Sequence, residues 1–311
     1  LKIGTRRYLG WFFRVAISVA ILLWLLSRLD LRGLIDVLKA LPVSAWLVAA
    51  VLYLSAQILS SARWWLLTIN LNFEERWHTC LNYYLVGMYF NLFLPTGLGG
   101  DLFKVHFLSR RGGRKLYAAM SVIGDRGFGL GAMMILGAGA AVLYAEVLPA
   151  PFSWLLILSG VAMVCAIIGL PFLLQAMLKL RPQIRPYLQG VLLLYNKPRT
   201  LGAIFGLSLV LQVLGMIAVA QLGAGLGIDL PLAFYIACLP LITLLTLVPI
   251  TFNGVGVREG AFVYFLGLKG IGAEAAMTLG LLVFSVLVAT SLIGGAIYAM
   301  GLHRRAALSS S

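Results

Sequence analysis

Apolar runs near 11–27, 44–69, 116–146, 153–177, 200–223 and 275–302 are each long enough to cross a bilayer as a helix. That length constrains the fold more than any other feature. In lipid, every backbone N–H and C=O must be bonded within its own segment, so runs of this kind can only be helices. Composition agrees: 61% of the 311 residues are hydrophobic and 11% charged, where soluble domains carry about 25% charged residues. A transmembrane barrel would show short alternating segments instead. The sequence therefore predicts an all-α polytopic membrane protein, with 1–311 as a single membrane domain. The basic start "LKIGTRRYLGWFFR" leads into the first run without a small-residue cleavage site, so that span is expected to be retained.

Two more apolar regions, 81–107 and 232–267, are interrupted by Pro and Gly. Most of the 24 lysines and arginines cluster in 2–14, 63–76, 104–115, 179–199 and 304–305. The positive-inside rule puts those five clusters in the cytoplasm. Parity then requires 81–107 to enter from the cytoplasm and return to it, and 232–267 to do the same from outside. The expectation is about six spanning helices plus two re-entrant hairpins, with both termini cytoplasmic and the protein in the cytoplasmic (inner) membrane. The halves, approximately 1–150 and 151–311, then form an inverted repeat. Such folds bind substrate near the midplane, where broken helices meet.

The formal charge of +14 would raise the question of nucleic acid in a soluble protein. Concentrated in loops, it points instead to topology and anionic lipid, with no nucleic-acid partner. Cys80, Cys165 and Cys238 are scattered, as are His78, His106 and His303, so neither a metal site nor a cofactor is expected. No GxxxxGK[ST] motif is present for ATP hydrolysis.

The hairpin tips are the first candidate site. One reads Pro95, then Gly99, Gly100 and Asp101; the other reads Pro249, then Asn253, Gly254, Gly256, Arg258 and Glu259. Non-helical backbone at membrane depth belongs inside protein or along a wet cavity. A helix beginning after each tip offers free N–H groups to an anion. The plainer account is that Gly and Pro only turn the chain. The second candidate is "SVIGDRGFGLG", which puts Asp125 and Arg126 about half-way through a span. Charges at that depth are costly and usually functional, or else they lock two helices together. Being adjacent on a helix, the two should find different partners. Arg126, Arg258 and Lys104, with Gly99, Gly100, Asn253, Gly254 and Gly256, are the candidate substrate-binding residues. Asp101, Asp125 and Glu259 are the candidate proton or ion carriers, or counter-charges. Arg63 reads as a snorkelling residue near a span end. Segment 28–42 has amphipathic helix spacing and is expected on the outer surface; 179–199 is expected on the inner one.

With these residues in place, "NLFLPTGLGGDLFKV", "AAMSVIGDRGFGL" and "VPITFNGVGVREGAFVYFL" resemble the lysylphosphatidylglycerol synthase transmembrane-region family, also called flippase-like domain proteins. The resemblance spans nearly the whole chain. Some members carry a soluble aminoacyl-transferase domain; this chain resembles the stand-alone membrane half. The resemblance implies movement of lipids such as aminoacyl-phospholipid or polyprenyl- or hopanoid-type lipid. The expected function is a lipid flippase or transporter, not an enzyme, that passes an anionic or phosphate-bearing headgroup through a midplane cavity while the acyl chains stay in the bilayer. A membrane-embedded lipid-headgroup transferase is the alternative, although no nucleophile constellation is visible. A structural partner of a separate lipid synthase is a third reading.

Overall fold

The computed structural model describes residues 42–93, 99–110, 114–144, 146, 148–248, 251 and 253–301. The expectations for span 11–27, for 28–41, for tip residues 94–98 and 249–250, for 111–113 and for the C-terminal basic residues lie outside that set. The described residues form α1 (Val43–Asn70), α2 (Trp77–Phe93), α3 (Gly99–Ser109), α4 (Lys115–Leu143), α5 (Ala150–Leu180), α6 (Arg185–Tyr195), α7 (Pro198–Gly225), α8 (Leu232–Leu247), α9 (Val257–Gly267) and α10 (Ala273–Ala299). A 3-10 turn, Pro182–Ile184, precedes α6.

Five helices, α1, α4, α5, α7 and α10, have 28, 29, 31, 28 and 27 residues and each contains an apolar window of 18 residues. At ~1.5 Å per residue each exceeds a ~30 Å hydrocarbon core. Together they make the chain a multi-pass membrane protein. Prolines set several starts: Pro42, Pro149 and Pro231 precede α1, α5 and α8, and Pro198 opens α7. A fixed φ and a missing N–H cost nothing in a first turn. The other two apolar regions are each broken in two. Region 81–107 falls into α2 and α3, of 17 and 11 residues, and 232–267 into α8 and α9, of 16 and 11.

Helices α4 and α10 are the most buried of the long five, whereas α5 turns Trp154, Leu158 and Phe172 outward. Close approach depends on missing side chains. A Cβ on Gly160 of α5 would run into Ala138 of α4, and one on Gly294 of α10 would overlap the Leu85 carbonyl of α2. Without a hydrophobic drive between helices in lipid, such backbone-to-backbone packing is a main source of association. Helix α1 lies along α7; α2 packs on α10 and α3 on α4; α8 packs on α4 and α9 on α10.

At the second break the backbone is left-handed or beyond at Asn253 (φ 52°), Gly254 (φ 74°) and Gly256 (φ 86°). Asn and Gly are the residues that enter positive φ most readily. Glu259 then accepts a 2.6 Å hydrogen bond from the Gly256 N–H. This is the carboxylate half of a capping box, since Gly256 has no side chain to complete it.

Two contacts tie loops together across the sequence. The Arg114 guanidinium donates to the Asn72 carbonyl at 2.9 Å, joining the α1–α2 loop to the start of α4. The Lys269 ammonium donates to the Glu146 carbonyl at 2.7 Å, joining the α4–α5 loop to the α9–α10 loop.

Candidate functional site

A cavity of about 570 Å³ lies between α1, α2, α3, α4, α7 and the C-terminal end of α8. Its chemistry comes from five ionic side chains on three helices. Arg63 of α1 grips Asp125 of α4, with Nε and Nη2 at 2.9 and 2.8 Å from Oδ1. Arg63 Nη1 also donates to the Ser208 hydroxyl of α7 at 3.1 Å. Lys104 of α3 stands between two carboxylates, 3.1 Å from Asp101 Oδ1 and 3.8 Å from Asp125 Oδ2. Asp101 in turn is paired with the Nε of Arg126. The order is Arg63, Asp125, Lys104, Asp101, Arg126, a single line of alternating charge.

Sequence dictates this line locally. Asp101 and Lys104 are three apart on α3 and so share a face. Asp125 and Arg126 are adjacent on α4 and diverge by ~100°; one turns to α1 and the other to α3. Aromatic faces hold Lys104 in place, with its ammonium 4.7 Å from the Tyr84 ring centre and 5.4 Å from that of Trp64. Trp64 is fixed in turn by an Nε1–H bond of 3.1 Å to Ser121. Gln212 of α7 lines the far wall and donates to the Gly129 carbonyl at 2.8 Å.

Burial is uneven along the line. The Arg63 and Asp125 side chains are 4% and 3% exposed, Lys104 and Asp101 little more, and Arg126 44%. Among the described residues, three cations face two carboxylates, a formal excess of one positive charge. Charges held away from water interact far more strongly than they would in solvent.

Of the residues singled out from sequence, Asp101, Lys104, Asp125 and Arg126 come together here. Gly99 and Gly100 are buried at the start of α3. The Gly100 N–H already donates to Asn91 Oδ1 at 2.7 Å, and a Cβ on Gly100 would overlap the Gly87 carbonyl. Arg258 and Glu259 lie apart from the cavity lining. They pair with each other, at 3.1 and 3.0 Å to Glu259 Oε1, and Arg258 stacks 4.9 Å from the Phe284 ring centre. Asn253, Gly254 and Gly256 shape the turn ahead of that pair.

Arg63 is the correction. Counted from sequence among the cytoplasmic cations, it is instead buried within α1 and anchors the charge line. A signal was present: Arg63 follows Ser60, Ser61 and Ala62, small residues that leave room for a long side chain to turn inward. Tyr84, Trp64 and Gln212 gave no signal, because single aromatic and amide residues in an apolar run read as packing.

No curated protein and no solved structure matches the chain. The profile of the lysylphosphatidylglycerol synthase TM region matches residues 11–295, nearly the whole length. The chain belongs to the lysylphosphatidylglycerol synthase transmembrane-region family.

Proposed function

We propose that this protein is a lipid transporter of the cytoplasmic membrane, and that its charged cavity receives a headgroup bearing one phosphodiester charge. One observation carries the reading: among the described residues, a line of three cations and two carboxylates, four of the five buried, borders a cavity among membrane-spanning helices. A phosphodiester supplies the missing negative charge. Arg126 is the residue that meets it, because its side chain is the most open of the five. As the phosphate takes the guanidinium, Asp101 keeps Lys104 at 3.1 Å, so no carboxylate is left bare. Arginine suits this role because its planar fork can hold two phosphate oxygens at once.

In this reading α2–α3 and α8–α9 are re-entrant hairpins, and the halves form an inverted repeat. Packing supports it. Exchanging α1 with α7, α2 with α8, α3 with α9 and α4 with α10 turns every contacting pair among these eight helices into another contacting pair. The loop bonds support it as well. Arg114 to Asn72 groups two loops on the side taken as cytoplasmic, and Lys269 to Glu146 groups two on the other.

The test is transport of fluorescent phosphatidylglycerol between leaflets of liposomes containing the purified protein. Arg126→Gln should slow it at least roughly tenfold, the effect of losing ~1.4 kcal/mol of headgroup binding. Arg126→Lys should restore part of the rate. Wild-type transport by Arg126→Gln would end the proposal. A lipid product of altered mass would identify a headgroup transferase instead.

A further inference from the structure

We infer that the apolar pocket beside the charged cavity holds one acyl chain of the carried lipid, with Gly127 as the passage between the two; this rests on the lipid-transport reading above. The pocket, about 450 Å³, lies between α1, α4, α5 and α6. Its walls are Leu67, Phe128, Met163, Ile167, Leu170 and Leu194, among others of the same kind. Two of its polar side chains, Asn70 and Ser121, spend their donors on carbonyls of their own helices. The Asn70 amide donates to the Leu66 carbonyl at 2.7 Å, and the Ser121 hydroxyl to the Ala118 carbonyl at 2.7 Å. A space so lined holds hydrocarbon rather than water.

What selects an acyl chain as the occupant is the neighbour. Gly127 lines both this pocket and the charged cavity. A Cβ built there would meet no atom within 4 Å, so no side chain fills the space beside this residue. The residue before it is Arg126, the guanidinium assigned to the phosphate. Cation and apolar pocket are thus one residue apart on α4, and a molecule filling both must carry an anion joined by a short linker to a hydrocarbon chain. A diacyl phospholipid has that form. Helix α6 closes the pocket with Val191, Leu194 and Tyr195, which gives the amphipathic helix between α5 and α7 a task beyond connection.

The experiment compares two lipids with one headgroup on the full-length protein in detergent: long-chain phosphatidylglycerol and water-soluble dihexanoyl phosphatidylglycerol. Wild type should prefer the long chain by roughly tenfold or more, from the methylenes it buries. Ala166→Phe, on the wall formed by α5 and away from every charged residue, should reduce that preference several-fold and leave the affinity for the short lipid as it was. Gly127→Leu, at the passage, should reduce the preference too. Its fold should hold, since the site is open and leucine is the better helix former. An undiminished long-chain preference in both variants overturns the inference while leaving the headgroup site standing. Failure of wild type to bind either lipid overturns the transport reading, and the inference with it.

Discussion

Arg63 and Asp125 together hold α1 against α4, and their worth is best read by removing one and then both. Asp125→Leu takes the carboxylate from the buried Arg63 guanidinium, which keeps its bond to the Ser208 hydroxyl, and should cost about 3–5 kcal/mol of stability. Arg63→Met combined with Asp125→Leu removes both charges and should recover most of that loss. Unfolding in mixed micelles measures both; a double variant no more stable than the single one would show that the pair is not the lock. At this scale the sequence was partly legible. Asp101, Lys104, Asp125 and Arg126 stood out because a charge inside an apolar run has no cheap explanation. Arg63 did not, because a cation near the end of a span has one. Arg258 and Glu259 carried the same signal as Arg126, yet they pair with each other. Two adjacent positions on a helix do not reveal which way either side chain reaches.

The helices were legible to within a few residues wherever length and apolarity alone decide. The runs 44–69, 200–223 and 275–302 correspond to Val43–Asn70, Pro198–Gly225 and Ala273–Ala299. Their mutual fit was not legible, since the decisive atoms are the ones glycine lacks. Gly294→Ala would press a methyl into the Leu85 carbonyl and force α2 away from α10. Overpacking of this kind costs about 1–3 kcal/mol, to be read as a lowered Tm in detergent. Gly139→Ala on α4 meets nothing within 4 Å and should leave Tm unchanged or raise it slightly. Equal effects from the two would mean that helix propensity, and not fit, is being measured. Gly256→Ala belongs with the damaging group. A side chain at φ 86° should cost at least roughly 1–2 kcal/mol and loosen the turn that Glu259 caps.

For the molecule as a whole, orientation is the first thing to establish. Cysteines introduced by Lys115→Cys and Gly270→Cys should react with an impermeant maleimide from opposite faces of sealed vesicles; labelling from one face would overturn the proposed inverted arrangement of the halves. The charge line then has an electrical consequence. Among the described residues the site counts three cations against two carboxylates, so in the proposed transport cycle the empty site carries one more positive charge than the site occupied by a phosphodiester. On that count the loaded crossing is blind to membrane voltage, and the return of the empty site is not. An elementary charge moving through 100 mV exchanges about 2.3 kcal/mol with the field. With the cytoplasm negative, that cycle would draw the empty site back to the cytoplasmic face and favour outward movement of lipid with no second ion. Liposomes given a potassium diffusion potential should show outward flux rising with interior negativity and reversing when the potential is reversed. Flux indifferent to voltage would mean that the excess charge does not move with the site, and the membrane potential could not be what drives the lipid.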